Sequence, residues 1–247
     1  MPTIATQDQI FPNIEAIIFD KDGTLADSQS VWRKIGQARS RLIDAQVPGV
    51  GEPLLMAFGI QDNFLDPTGL MAVGNRYENE IAAAAYIAET GRSWFEAKEI
   101  ARHAFTEADR GLAELTISAP LFPGSLELLQ SLASAGIKLG ILSADSTANV
   151  EAFVNKHQLS SYIQLSMGSD RGLTKPDPAL FLAACHQLGV RASATLMVGD
   201  SQTDLDMAKR GDAAGAIGIC WENRQISHLP SADVAIAQLN QIKLLVS

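Results

Sequence analysis

Phe19-Asp20-Lys21-Asp22-Gly23-Thr24-Leu25-Ala26-Asp27-Ser28 closes the apolar run that begins at Ala16 with a carboxylate, and a second carboxylate follows two residues later. A short run such as Ala16-Ile17-Ile18-Phe19, with no polar alternation, reads as a strand buried on both faces, the pattern of a parallel sheet covered by helices. Gly23 permits the sharp turn that must follow. Two further runs of this kind lie downstream, Ile137 to Leu142 and Thr195 to Val198, and they end at Ser143 and at Gly199-Asp200. In a parallel sheet these polar groups emerge along one carboxyl edge, where open α/β sheets place their sites.

Amphipathic segments at helical spacing separate and follow these strands: Ser125 to Ala135, Thr147 to His157, Pro178 to Leu188 and Thr203 to Arg210. The alternation predicts βαβ units. Asp177-Pro178 has the form of a helix cap followed by the first helical residue, and Gly136 and Gly189 stand where helices should stop. Ala213 to Cys220 and Val234 to Ile236 would extend the sheet.

Between Ser28 and Pro120 the character changes to helical patterns. Ile81 to Glu89 is rich in Ala and closes at Gly91. Ser93-Trp94-Phe95-Glu96 then has capping-box spacing ahead of a second helix running towards Arg110. Gly49 to Gly74, richer in Gly, Pro and Asn, predicts loops and short helical pieces. The expected fold is therefore α/β: a Rossmann-like, three-layer α/β/α parallel sheet with an inserted helical cap domain. Residues 1–27 and 120–247 would form the core domain and 28–119 the insertion.

The chain has 247 residues, with 19 Lys and Arg against 28 Asp and Glu and a formal charge of −9, which excludes an electrostatic nucleic-acid binder. Hydrophobic residues at 47% and charged residues at 19% suit a large buried core rather than a disordered chain. Cys185 and Cys220 are the only thiols, which implies a reducing, cytoplasmic compartment. The N-terminal residues lack the basic and apolar regions of a signal peptide. The longest apolar run, Ile81 to Ala88, is too short to span a membrane, so neither secretion nor membrane insertion is expected. The four His show no paired spacing for a metal, and Trp32, Trp94 and Trp221 read as core residues. Gly49-Val50-Gly51 lacks the third Gly and following helix of a dinucleotide loop.

The segment from Asp20 to Ser28 resembles the Asp-x-Asp-Gly-Thr-Leu-x-Asp-Ser signature of the haloacid dehalogenase superfamily. Three later matches stand in that superfamily's order: Ser143, Lys175 in Lys-Pro-Asp-Pro, and Gly199-Asp200-Ser201-Gln202-Thr203-Asp204. Each alone reads as a turn, a cap or a solvated loop; their joint order does not. The resemblance implies a phosphoric monoester hydrolase. Asp20 would attack phosphorus to form an aspartyl phosphate, and Asp22 would protonate the leaving alkoxide and then take a proton from water. Asp20 and Asp200 would be carboxylate ligands of Mg²⁺, Asp22 would lend its backbone carbonyl, and Asp204 would make an auxiliary contact. The Ser143 hydroxyl and Lys175 ammonium would grip the phosphate, joined by the backbone N–H groups of Lys21 and Ala144.

The second carboxylate, Asp22, sets the chain apart from the dehalogenase and phosphonatase branches. The phosphonatase branch would also want a cap lysine, and only Lys34 and Lys98 lie in the insertion. The position of the insertion is that of a helical C1 cap, and Ser169-Asp170 ahead of Lys175 resembles the phosphoglycolate phosphatase and phosphomutase branch. The lead reading is a phosphatase acting on a small phosphorylated metabolite, as a monomer or homodimer. A hexose-phosphate mutase, which uses the same nucleophile and acid, is the alternative, and a phosphate-responsive regulatory module a more remote one. Cap arginines Arg33, Arg76 and Arg92 are candidates for meeting substrate anions. One departure from the usual pattern is Ala144-Asp145 after Ser143, where relatives often have Asn directly; Asp145 reads as a cap for the helix starting near Thr147.

Overall fold

The computed structural model describes residues 2–66, 68–169, 172–221 and 229–245. The chain opens with two short strands, β1 (Thr3–Ala5) and β2 (Ile10–Phe11), and then β3 (Ala16–Phe19). A helical stretch follows: α1 (Gln29–Asp44), α2 (Gly51–Ala57), the hairpin β4 (Ile60–Gln61) and β5 (Phe64–Leu65), then α3 (Leu70–Val73), α4 (Arg76–Glu89) and α5 (Trp94–Ile117). Alternation then resumes with α6 (Ser125–Ser134), β6 (Lys138–Leu142), α7 (Thr147–Lys156), β7 (Ile163–Met167), α8 (Pro178–Leu188), β8 (Thr195–Gly199), α9 (Gln202–Arg210) and β9 (Gly215–Ile219). The last strands are β10 (Val234–Ile236) and β11 (Lys243–Leu245).

Six strands form one parallel sheet in the order β10-β9-β8-β3-β6-β7. The first of these in sequence, β3, lies at the centre. The chain builds outward on one side through β6 and β7, then returns to build the other side through β8, β9 and β10. Folds of this class place their sites where the strand order reverses in this way, at the carboxyl ends of the central strands. Every residue of β3 and β8 is buried, as the unbroken apolar runs require. Ala16 and Ile18 share a core with Leu180, Phe181 and Ala184 of α8 and with Leu205 and Ala208 of α9. Ile17 and Phe19 face the opposite way by the two-residue period of a strand. The architecture is the expected three-layer α/β sheet.

One strand and one small sheet do not follow from the sequence pattern. The edge strand β7 carries Gln164 and Ser166 among its apolar residues and is only partly buried, so it lacks a run like that of β3. The antiparallel sheet β11-β1-β2 brings residues from both ends of the sequence together, which local pattern does not encode.

The chain divides into two compact units, Met1–Asp27 with Pro120–Ser247, and Ser28–Ala119. In the second, α4 and α5 pack against each other and α5 against α1. The buried Arg39 bonds Asp109 through Nε (3.2 Å) and Nη2 (2.7 Å), and its guanidinium lies 4.2 Å from the Phe105 ring centre. Among the described residues no helix is long and apolar enough to cross a membrane.

Candidate active site

Each of the three central strands ends at a polar residue. Asp20 follows β3, Ser143 follows β6, and Asp200 follows β8. Asp20, Asp200 and Asp204 each offer a carboxylate oxygen within 4.8 Å of the others. Asp204 sits in the first turn of α9, where Ser201 caps the helix through its bond with the Asp204 N–H, while Asp204 Oδ2 accepts the Ser201 hydroxyl (2.6 Å). The other Asp204 oxygen is 2.6 Å from Lys175 Nζ, and Lys175 also contacts Asp20 Oδ1.

Burial sets the electrostatics here. It pushes the Asp20 carboxyl well above the usual range; Lys175 opposes this, while the charges of Asp204, Asp200 and Asp22 add to it. Burial and the charge of Asp204 push Asp200 up to about 7. Burial disfavours the Lys175 ammonium, but Asp20 and Asp204 outweigh it and hold the group charged beyond its ordinary range. Three carboxylates against one ammonium leave an excess of negative charge and an all-oxygen donor set, which suits a hard divalent cation.

The turn after β3 is held tightly. Gly23 has φ +83°, and a Cβ there would lie 2.1 Å from Asp200 Oδ2. The Thr24 hydroxyl donates to Asp200 Oδ1 (3.3 Å). The Trp221 indole donates to the Gly23 carbonyl (3.0 Å), and its ring stacks on Phe122 at 4.0 Å. Ser143 is buried, and its Oγ accepts the Asp145 N–H (3.1 Å), which leaves the hydroxyl proton free to be donated elsewhere. Among the described residues the backbone N–H groups of Lys21 and Ala144 donate to no protein acceptor.

The structure thus brings Lys175 into contact with Asp20 and Asp204, with an Asp200 oxygen within 4.8 Å of both acids. The Asp22 carboxylate is not in the acidic group; its Oδ2 pairs with Lys21 Nζ at 3.0 Å. The Lys21 ammonium is fully buried between Asp22 and Asp145. Asp145 does not cap α7, contrary to expectation. Ser146 is the cap, accepting the Asn149 N–H (3.2 Å), and Asp145 is the partner of Lys21. The signal for this pair was a lysine at the end of a buried strand, which cannot remain without a counter-charge. Of the three arginines singled out in the helical unit, Arg76 is bound to Asp109 and Glu80, Arg92 to Glu96, and Arg33 to the Asn63 carbonyl. Asp170 lies outside the described residues.

A parallel α/β sheet with acidic and basic side chains gathered at its switch point has its charged cluster where folds of this class place their sites. The sequence model for haloacid dehalogenase-like hydrolases matches residues 14–212, and the chain belongs to that family. It is 36% identical over 114 residues to the probable phosphatase IndB of Dickeya dadantii, an alignment covering 46% of this chain and 49% of the relative. The chain therefore spans about half the length of that relative. It is 26% identical to a phosphoglycolate phosphatase of Yersinia pestis, over 85% of this chain and 83% of the relative. A solved structure from Haemophilus somnus, described as a predicted phosphoglycolate phosphatase, superposes with a TM-score of 0.65 at 19% identity, covering 90% of this chain and 93% of that one.

Proposed function

We propose that the chain is a Mg²⁺-dependent phosphatase that hydrolyses a small phosphate monoester, of the phosphoglycolate or sugar-phosphate kind, through an aspartyl-phosphate intermediate. The observation that carries this reading is the contact of the buried Lys175 with Asp20 and Asp204 at the carboxyl edge of the sheet. A buried nucleophilic carboxylate among other carboxylates resists ionising, and Lys175 works against that resistance by favouring the negative form of Asp20. Asp20, Asp200 and the Asp22 backbone carbonyl would hold the cation, with Asp204 beside them. When bound, Mg²⁺ supplies positive charge to the phosphoryl oxygens and offsets the carboxylates.

In this reading Asp20 attacks phosphorus, and Asp22 gives a proton to the departing alkoxide. The Ser143 hydroxyl, whose oxygen is already oriented by the Asp145 N–H, donates to a phosphoryl oxygen. The N–H groups of Lys21 and Ala144 add donors in the same turns. Asp22 then takes a proton from the water that cleaves the aspartyl phosphate. The helical unit of residues 28–119 is assigned the role of a cap that selects the substrate. The scarcity of thiols supports a cytoplasmic setting, with a small phosphorylated metabolite as partner and a monomer or homodimer as the working form.

Release of inorganic phosphate from an aryl phosphate and a panel of small phosphometabolites tests the proposal. Wild-type turnover should require Mg²⁺ and vanish with chelator, and Asp20→Asn should lower kcat by at least about 10³-fold. Asp20→Asn turning over like the wild type would reject the covalent route. Isomerisation of a sugar phosphate without phosphate release would replace phosphatase by mutase.

A further inference from the structure

Lys21 has no exposed surface, and its ammonium lies 3.0 Å from Asp22 Oδ2 and 3.0 Å from Asp145 Oδ2. The buried Phe153 ring is 5.7 Å away on another side. Asp145 is fixed in turn. Its Oδ1 accepts the Ser146 N–H (2.7 Å) and Asn149 Nδ2 (2.8 Å), and its carbonyl accepts the Ser169 N–H (2.9 Å). The Asp22 carboxylate is thus engaged through one oxygen only; Oδ1 is buried and, among the described residues, without a hydrogen-bond partner.

Stability does not account for this arrangement. A buried ion pair recovers its desolvation cost at best, and apolar side chains of similar volume at positions 21, 22 and 145 together would serve stability as well. What the bridge does supply is orientation. Asp22 belongs to the turn after β3, Asp145 to the turn after β6, and the lysine ties one to the other across adjacent strands. We propose that Lys21 is a positioning residue: anchored by Asp145, it clamps Asp22 Oδ2 and leaves Oδ1 as the oxygen that exchanges protons during turnover.

The catalytic part of this inference rests on the phosphatase reading. In the first half-reaction the P–O bond to Asp20 forms as the ester P–O bond to the alkoxide breaks, and the O–H bond at Asp22 Oδ1 breaks as the departing alkoxide gains that proton. In the second, Oδ1 regains a proton from water as the water oxygen bonds phosphorus and the bond to Asp20 breaks.

The test compares Lys21→Met, Asp145→Asn and the double variant in the full chain, by thermal unfolding and by steady-state hydrolysis of an aryl phosphate with Mg²⁺. Lys21→Met should lower Tm by several degrees, because two partly buried carboxylates lose their counter-charge, and lower kcat about 100-fold with KM within about two-fold. Asp145→Asn keeps an acceptor for Lys21 and should cost kcat less than about five-fold. The double variant removes one stranded carboxylate, so Tm recovers while kcat stays low. It also carries the test if Lys21→Met alone does not fold. Recovery of kcat together with Tm would reduce the bridge to a structural one, and normal kcat in folded Lys21→Met would end the proposal. A wild type that releases no phosphate overturns the phosphatase reading and the catalytic half of this one. The thermal comparison still decides the bridge, since an unchanged Tm in Lys21→Met rejects it.

Discussion

Gly23 shows how a single residue serves the site through what it lacks. Its φ of +83° is costly for any side chain, and a Cβ would drive into Asp200 Oδ2 at 2.1 Å. The Trp221 indole holds the same peptide by its carbonyl. Gly23→Ala should therefore displace Asp200 and the turn carrying Asp22. The expected result is a loss of about 1–3 kcal/mol in stability by denaturant unfolding and at least about 100-fold in kcat. A variant with wild-type turnover would show that Asp200 can shift without consequence. The position of Asp20, Ser143 and Asp200 at the ends of buried strands was legible from the apolar runs that precede them. Asp145 was not, because its partner Lys21 lies 124 positions away and only the pairing of β3 with β6 brings them together.

At the scale of elements, caps placed the helices well where both halves of the signal were local. Asp177 accepts the Ala179 N–H (2.9 Å) and Gly189 takes the left-handed conformation that ends α8, as the sequence implied. The expected capping box at Ser93 is only half made. The Ser93 hydroxyl accepts the Glu96 N–H (3.2 Å), but the Glu96 carboxylate turns to Arg92 (2.9 Å) instead. The full box belongs to Asn75 and Glu78, which start α4 earlier than the Ala-rich run suggested. Ser93→Ala should cost about 1 kcal/mol in urea unfolding, whereas Glu96→Gln, removing only an exposed pair, should change stability by less than about 0.5 kcal/mol. Equal losses in the two variants would mean that Glu96 does contribute to the cap. The helix itself continues past Gly111 to Ile117, further than the Arg110 limit read from sequence, since a glycine in a packed helix is tolerated.

Across the whole molecule, the carboxylates at the sheet edge link folding to pH. Asp20 and Asp200 have native values raised above the ordinary carboxylate value of 3.8, Asp200 to about 7. Between those two values the native state binds more protons than the unfolded chain, so stability falls as pH rises through that window. In chelator, Tm should drop by a few degrees between about pH 5 and 7.5, beyond the background set by other groups. Asp200→Asn should flatten the slope, and saturating Mg²⁺ should lift Tm most at the upper end. A metal-free Tm that rose steadily over this range would contradict the burial of these charges. The comparison also separates binding of the cation from catalysis, since unfolding needs no substrate.

What the sequence determined by itself was the parallel sheet, the three apolar runs that supply its inner strands and the polar residues at its carboxyl edge. Those follow from local rules: apolar runs of strand length, helical periodicity between them, and carboxylates or a serine immediately after each run. The tertiary structure alone decided the partners of those groups. It set Lys175 against Asp20 and Asp204, placed Lys21 between Asp22 and Asp145, and paired β1 with β11 from opposite ends of the sequence. The physical reason is that backbone conformation answers to neighbours along the chain, whereas a buried charge must find its counter-charge wherever packing brings one within reach.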